Sequence, residues 1–307
     1  MSIHVVEPNK STLHGYFSKD LPPVLTIDAG ESVRFSTLDA GGSEDKLGTP
    51  TQFEVAFTEN RGRGGDDGHA LCGPVAIRGA KPGLLLSVHI NRIMTGEWGW
   101  TYTSPETNPL ADIKNKSFMV WSLDDTASIA TNTAGMTVRM RPFMGVMGMP
   151  PAQGGKHPTA APRMTGGNLD CKELTAGSTL YLPIEVEGGL FSVGDGHAAQ
   201  GDGELGGTAI ECPIERVDLT FDLHDDLPLK TPFAHTPNGW ITFGLDEDLN
   251  VAVQKATSAM LDLIMHFYTV SRAEALALAS IVVDLRVTQV VNGVRGIHAV
   301  LPHGALR

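Results

Sequence analysis

The sequence predicts a mainly β protein, β-sandwich- or barrel-like over its N-terminal two-thirds, with an α+β C-terminal portion. Three observations carry this. Short apolar runs recur along the chain, and 35 glycines and 19 prolines among 307 residues supply the turns between them. Helix-period segments are scarce before residue 246. Beyond it, apolar residues fall at helical spacing and then return to a strand–turn–strand pattern.

Candidate strands occupy residues 23–27, 32–38 and 53–58, with Ala29-Gly30 turning between the first two. Residues 61–74 (RGRGGDDGHALCGP) form a Gly-rich loop that carries His69. Residues 75–77, a Gly79/Pro82-Gly83 turn and residues 84–90 read as a hairpin-like pair. Residues 91–116 read as irregular and polar, with Trp98, Trp100 and Tyr102 clustered, and further strands are expected at 118–123 and 137–142. Residues 144–170 are rich in Gly, Pro and Met. A loop that long inside a domain is a linker or functional, and its position before an acidic segment favours an active-site loop.

Strands at 180–186 and 190–193 lead into that segment, and residues 217–223 (VDLTFDL) alternate as a half-buried strand does. Leu249, Val253, Ala256, Met260, Leu263, Ile264 and Phe267 share a helical face, with Asp246, Glu247 and Asp248 placing acid at its first turn. Ser271 and Glu274 make a capping box for a second helix through residue 281. Residues 285–291 and 296–301 then form two strands around Asn292-Gly293, a type I′ turn signal. The composition shifts divide the chain into a β-rich N-terminal domain (1–143), a β-rich active-site loop and motif segment (144–215) and an α+β C-terminal domain (216–307).

A formal net charge of −12 without a Lys/Arg cluster argues against nucleic acid and anionic membranes as partners. No apolar run reaches the roughly 18 residues of a membrane span. The start, MSIHVVEPNKSTLHGYFSKD, lacks the basic and apolar regions of a signal peptide. Three dispersed cysteines, Cys72, Cys171 and Cys212, form no CxxC pair, so a reducing cytoplasm is the expected location.

The chemistry concentrates between Asp195 and Glu211, which enclose His197, Gln200, Asp202 and Glu204, with six glycines from Gly194 to Gly207. A core strand is not expected there, because packing such groups would bury unpaired charge at several kcal/mol each. A solvated loop is one account. The other is a site where glycines let the chain turn tightly and bring carboxylates and imidazole to one point, with a divalent cation relieving their repulsion. Asn168 and Asp170, just upstream, form either an Asx turn or part of the same site. Asp67-Gly68-His69-Ala70 repeats Asp195-Gly196-His197-Ala198 as DGHA, a match four residues long. No GxSxG elbow, HExxH, P-loop or GxGxxG follows a strand, which favours metal-activated water for any hydrolysis here.

GGNLDC (166–171), GSTLYLPIEVEGGLFSVGDGHAAQGDGELGGTAIE (177–211), DLRVTQVVNG (284–293) and CGPVAIRGAKPG (72–83) together resemble the acetamidase/formamidase family, over essentially the whole chain and in the family's order. The GDGHAAQGDGE core (194–204) is its most specific element. One departure is visible: Lys81 and Leu84 stand where the family usually carries acids. The resemblance implies hydrolysis of short aliphatic amides to carboxylate and ammonia, a mainly β fold, a homo-oligomer (dimer or higher) and a divalent metal, zinc, with calcium as the alternative ion. It implicates Asn168, Asp170, Asp195, His197, Gln200, Asp202, Glu204 and Glu211 without fixing their roles; on the chemistry of metal-activated water, Asp170, Asp195, His197 and Glu211 are expected to bind metal. Glu204 is the expected general base, Gln200 or Asn168 the oxyanion donor, and Asp202 a further catalytic candidate; Cys171 and His69 stay unassigned. Two other readings remain open: a non-catalytic calcium- and carbohydrate-binding β-sandwich module, with Trp98, Trp100 and Tyr102 stacking on sugars, and a hydrolase of a larger amide or carbamate.

Overall fold

The computed structural model describes residues 3–43, 68–107 and 110–307. The strand expected at 53–58 and the first part of the 61–74 loop lie outside the described residues. Within them the protein is mainly β, with two α-helices near the C-terminus.

Nine strands form one sheet, in the order Ile3–Val6, Ser32–Thr37, Ile214–His224, Leu85–Thr95, Thr179–Pro183, Phe233–Thr236, Gly239–Asp246, Arg295–Pro302 and Asp284–Gln289. Only the first pair is parallel. A second sheet runs from Thr137–Arg139 through Ile129–Asn132, Ser117–Asp124, Trp98–Thr103, Glu211–Cys212, Phe191–His197 and Phe143–Gly148 to Gly166–Asn168. Leu71–Ile77 also pairs with Phe191–His197. The two sheets share one core. Phe35, Val88, Leu219 and Phe221 of the first lie in the same cluster as Val75, Met147, Phe191 and Val193 of the second. Phe191 and Phe221 meet edge to face at 5.0 Å across it. Each such side chain contributes about 1.5–3 kcal/mol on burial.

Helix α1 (Leu249–Phe267) lies on Gly239–Asp246 and Arg295–Pro302 through Ala252, Ala256, Met260, Leu263 and Ile264. A Cβ on Gly244 would fall 1.9 Å from Ala252 O, so this close approach requires glycine. The helix starts later than its acids imply. Asp248 is the N-cap, accepting from the Asn250 and Val251 amides, and the first turn itself holds no acid. Helix α2 (Arg272–Val282) has the expected capping box, Ser271 with Glu274.

Several local expectations change. Trp98–Thr103, read as irregular, is a strand. Leu71–Ile77 and Leu85–Thr95 are not a hairpin: they belong to different sheets, and the turn through Gly79 and Gly83 carries the chain between them. The 144–170 segment is not one long loop, since Phe143–Gly148 is wholly buried and pairs with Gly166–Asn168. Its glycines serve backbone contact rather than looseness, for a Cβ on Gly148 would lie 2.2 Å from Gly167 N. The Asn292-Gly293 turn is wider than a type I′ pair, because the flanking strands end at Gln289 and resume at Arg295.

Candidate metal centre

The acidic segment does form a core strand, contrary to the charge-burial expectation. Phe191–His197 is buried throughout and lies between Leu71–Ile77, Phe143–Gly148 and Glu211–Cys212. Its charge is compensated by convergence. Asp195 and His197 project to one face at alternate positions, and Glu211 is the cross-strand partner of His197. Gly196 is needed between them, for a Cβ there would stand 2.3 Å from Ile214 Cγ1.

His197 Nε2 lies 3.0 Å from Glu211 Oε2 and 3.3 Å from Asp195 Oδ1. Two triads, Asp170–Asp195–His197 and His197–Glu204–Glu211, each place their ligand atoms within 4.8 Å of one another. These five side chains are all buried. Asp170, Asp195 and Glu204 hold φ values of 49°, 59° and 49°, left-handed conformations in which a non-glycine residue stores strain.

Two further contacts fix the acids. Gln200 Nε2 donates to Asp170 O at 2.9 Å, and Asn292 Nδ2 donates to Asp170 Oδ2 at 2.8 Å. Glu204 is placed by backbone docking: Gly203 N donates to Thr288 O, and Val290 N donates to Gly203 O. The C-terminal hairpin therefore completes a centre whose acids come from two earlier strands, Asp195 and Glu211, and two earlier loops, Asp170 and Glu204.

Charge sets the protonation of this cluster. Burial pushes the Asp170 carboxyl well above the usual carboxylate range, with repulsion from Glu204 adding to it. Burial likewise raises Glu204 to about 7 and Glu211 to about 8, against the pull of His197. Burial acts on Asp195 too, but His197 and His69 outweigh it and hold that carboxyl below its ordinary value. His197 is the converse: burial disfavours its cation, yet Glu211 and Asp195 hold its pKa well above the ordinary value. Four carboxylates face one imidazole, and the excess negative charge is relieved only by bound protons or a cation.

The donor set fits a divalent ion. Asp170 Oδ1, Glu204 Oε2, Glu211 Oε2 and both His197 ring nitrogens are buried without a hydrogen-bond partner. Gly145 leaves the floor of the cluster open: a Cβ there would sit 2.3 Å from Asp195 Oδ2, 2.8 Å from Asp170 Oδ1 and 2.9 Å from His197 Cε1. Tetrahedral coordination with bonds of about 2.0 Å spaces ligand atoms about 3.3 Å apart, close to the His197 contacts. Gly145→Ala should therefore push the Asp195 carboxylate out of register. We expect a loss of bound metal and at least a roughly 10²-fold fall in turnover, with the far-ultraviolet dichroism unchanged. Wild-type metal content in that variant would show that the floor tolerates a methyl group.

The other expected residues fall around this cluster. Asn168 lines the cavity above it; its Nδ2 donates to Ala160 O at 3.1 Å, leaving Oδ1 buried and unpartnered. Gln200 sits behind Asp170 rather than on that cavity. Asp202 turns away and pairs with Lys172 at 2.9 Å. Asn292 and Gly145 went unread: the first looked like a turn residue, the second like part of a loop. The cavity encloses about 740 Å³. Trp100 and Tyr102 line it, Trp98 does not, and neither do residues 144–151, which form the layer beneath. Trp100 is itself buried, stacked on Phe118, with Nε1 donating to Asp39 at 2.7 Å.

Cys171 belongs to a separate network. Glu173 Oε1 accepts from Arg286 at 2.8 Å, and Oε2 lies 3.2 Å from His298 Nε2 and 3.6 Å from Cys171 Sγ. Burial pushes the Cys171 thiol well up, so it is a poor nucleophile. The network saturates one carboxylate and ties the hairpin bearing Asn292 to the segment bearing Asp170. Burial would raise Glu173, but its bond to His298 and the positive charge of His298, Lys172 and Arg141 together outweigh that and hold it at about 2 instead of 4.5. Because the folded value is the lower one, its stabilisation is complete above pH 4.5 and is lost as pH falls toward 2. The unfolding free energies of wild type and Glu173→Gln should therefore differ at neutral pH and converge through that window; a gap independent of pH would contradict the assignment.

A family model for the acetamidase/formamidase family matches residues 3–154 and 155–303. A formamidase of Methylophilus methylotrophus is 26% identical over 63% of this chain and 59% of its own, so the chain spans about three-fifths of that relative's length. An acetamidase from Bacillus halodurans superposes with a TM-score of 0.86 over 97% of both chains, at 25% identity. A gamma lactamase from Delftia acidovorans shares the fold more loosely, with a TM-score of 0.64 at 21% identity.

Proposed function

The chain belongs to the acetamidase/formamidase family, and from that premise we propose that it is an amidohydrolase that cleaves short linear amides to carboxylate and ammonia with metal-activated water. The observation that carries the metal is the convergence of four buried carboxylates and one imidazole at the foot of a cavity, with unpartnered atoms on the imidazole and on three of the carboxylates. Asp170, Asp195, His197 and Glu211 would hold the ion. Imidazole among the donors, and donor atoms 3.0–3.3 Å apart, favour zinc over calcium, which takes six to eight oxygens at longer range. A divalent ion there supplies a water of lowered pKa and polarises the amide carbonyl.

The chain's own groups do the rest. Glu204 borders both the cluster and the cavity, where it can take a proton from water and deliver it to the departing nitrogen. Asn168 Oδ1, an unpartnered acceptor on the wall, suits the N–H of an amide better than an oxyanion. Gln200 acts by holding the Asp170 backbone.

Elemental analysis combined with ammonia release across amides of increasing length tests the reading. We expect about one zinc per chain and turnover of formamide or acetamide. Full activity in metal-free protein would sink the metal; no ammonia from any amide would sink the hydrolase. A second reading, a larger amide or carbamate, is favoured by the cavity, whose size falls in the range that holds drug-sized ligands. Three buried free cysteines support a cytoplasmic setting, and among the described residues no helix is long and apolar enough to cross a membrane. Exposed Leu276 and Ile281 on the second helix and Leu285 on the strand that follows it support assembly into a homo-oligomer.

A further inference from the structure

We propose that His69 is a catalytic residue of this centre, donating a hydrogen bond from Nε2–H to the carbonyl oxygen of the substrate as negative charge develops on it. The proposal rests on the amide-hydrolase reading. Strand pairing brings the residue there. Leu71–Ile77 runs antiparallel to Phe191–His197, and the ladder closes at Gly194↔Leu71. One step further on one strand is Asp195, and two steps back on the other is His69. His69 and Asp195 line the same cavity, and the two act on each other electrostatically. The repeated DGHA thus places two histidines at one centre, His197 within the ligand cluster and His69 on the cavity wall.

The ring's tautomer follows from its partner. Thr159, fully buried, accepts from the His69 backbone N–H at 2.8 Å and lies 2.8 Å from His69 Nδ1. Its oxygen has a second lone pair, but its single O–H has no other acceptor among the described residues, so directing that O–H to Nδ1 satisfies both groups and leaves Nδ1 the unprotonated nitrogen. Neutral His69 therefore carries its proton on Nε2, which has no hydrogen-bond partner among the described residues. Three other side-chain nitrogens on this wall already donate elsewhere, and the Lys116 ammonium also lines it. Trp100 Nε1 donates to Asp39, Asn168 Nδ2 to Ala160 O and Asn292 Nδ2 to Asp170. A neutral imidazole with a fixed N–H facing a cavity is a preorganised electrophile, and an oxyanion donor of this kind is worth about 10²–10³ in kcat.

The test has two arms. In the zinc-loaded enzyme, His69→Ala should keep its metal and its KM for acetamide within about threefold while kcat falls about 10²–10³-fold. His69→Gln, which restores an N–H donor, should recover part of that loss, and His69→Phe should not. Unchanged kcat, or loss of metal from His69→Ala, overturns the proposal. The second arm needs no turnover. Long-range ¹H–¹⁵N correlations should show His69 as the Nε2–H tautomer, and Thr159→Val should release it to a tautomer mixture. An Nδ1–H signal in the wild type overturns the proposal even if amides are substrates. The expected tautomer without ammonia release from any amide would instead locate the failure in the hydrolase reading.

Discussion

Replacing His197 with alanine should strip the protein of its metal and lower amide hydrolysis by about 10³-fold or more while the sheets stay folded. His197 is the common member of both ligand triads, so its removal disconnects Asp170 and Asp195 from Glu204 and Glu211. It is also the only cationic or neutral nitrogen donor in the two triads. The carboxylates left behind keep an oxygen-only site, which suits calcium or magnesium and binds zinc poorly. Folding should survive because the carboxylates left behind can bind protons, as burial already favours for Asp170, Glu204 and Glu211, and the imidazole's packing is its edge contact with Phe143, 5.0 Å between centroids. The measurement pairs metal stoichiometry by emission spectrometry with ammonia release and circular dichroism. His197→Gln serves as a second variant of closer size should the alanine form aggregate. Retention of zinc with normal turnover in either would remove the imidazole from the centre.

Glu204→Gln should separate binding from chemistry. Glu204 borders the ligand cluster and the cavity together, at a loop turn held by the C-terminal hairpin. As a proton carrier it contributes about 10²–10⁴ in rate, and glutamine has similar shape without the exchangeable acid. We expect zinc content near that of the wild type, KM nearly unchanged and kcat reduced within that range. Loss of metal would reassign Glu204 as a ligand. The direction is informative because Glu211→Gln, on the neighbouring strand, should do the reverse and weaken metal first.

The cluster that these variants probe is partly legible in the sequence. Asp195, His197, Glu204 and Glu211 stand out because acids and imidazole crowd into seventeen residues among glycines, and local crowding is visible in one dimension. Asp170 stands out less, and only its proximity to the motif brought it in. Asn292 and Gly145 are a different case. Asn292 has the local signature of a turn, and its bond to Asp170 joins residues 122 apart. Gly145 is one of many glycines, and its role appears only when the missing Cβ is placed among three side chains from elsewhere. Asp202 misleads in the opposite sense. It has the right chemistry in the right motif, yet a turn aims it at Lys172.

The sequence by itself determined the fold class, the two C-terminal helices with the capping box of the second, the family and the acidic segment that joins the buried cluster. These follow from short-range properties: period, turn chemistry, capping spacing and a dense motif. Only the tertiary structure decided that the acidic segment is a buried strand rather than a loop, and that the glycine-rich stretch before it is a paired strand forming its floor. It also placed His69, unassigned in the sequence, on the wall of the cavity. The physical reason is that burying charge is costly only for groups left alone. What offsets Asp195 is His197, His69 and the protons or cation it shares with Asp170, Glu204 and Glu211, which arrive from separate segments of the chain, and no local pattern records that meeting.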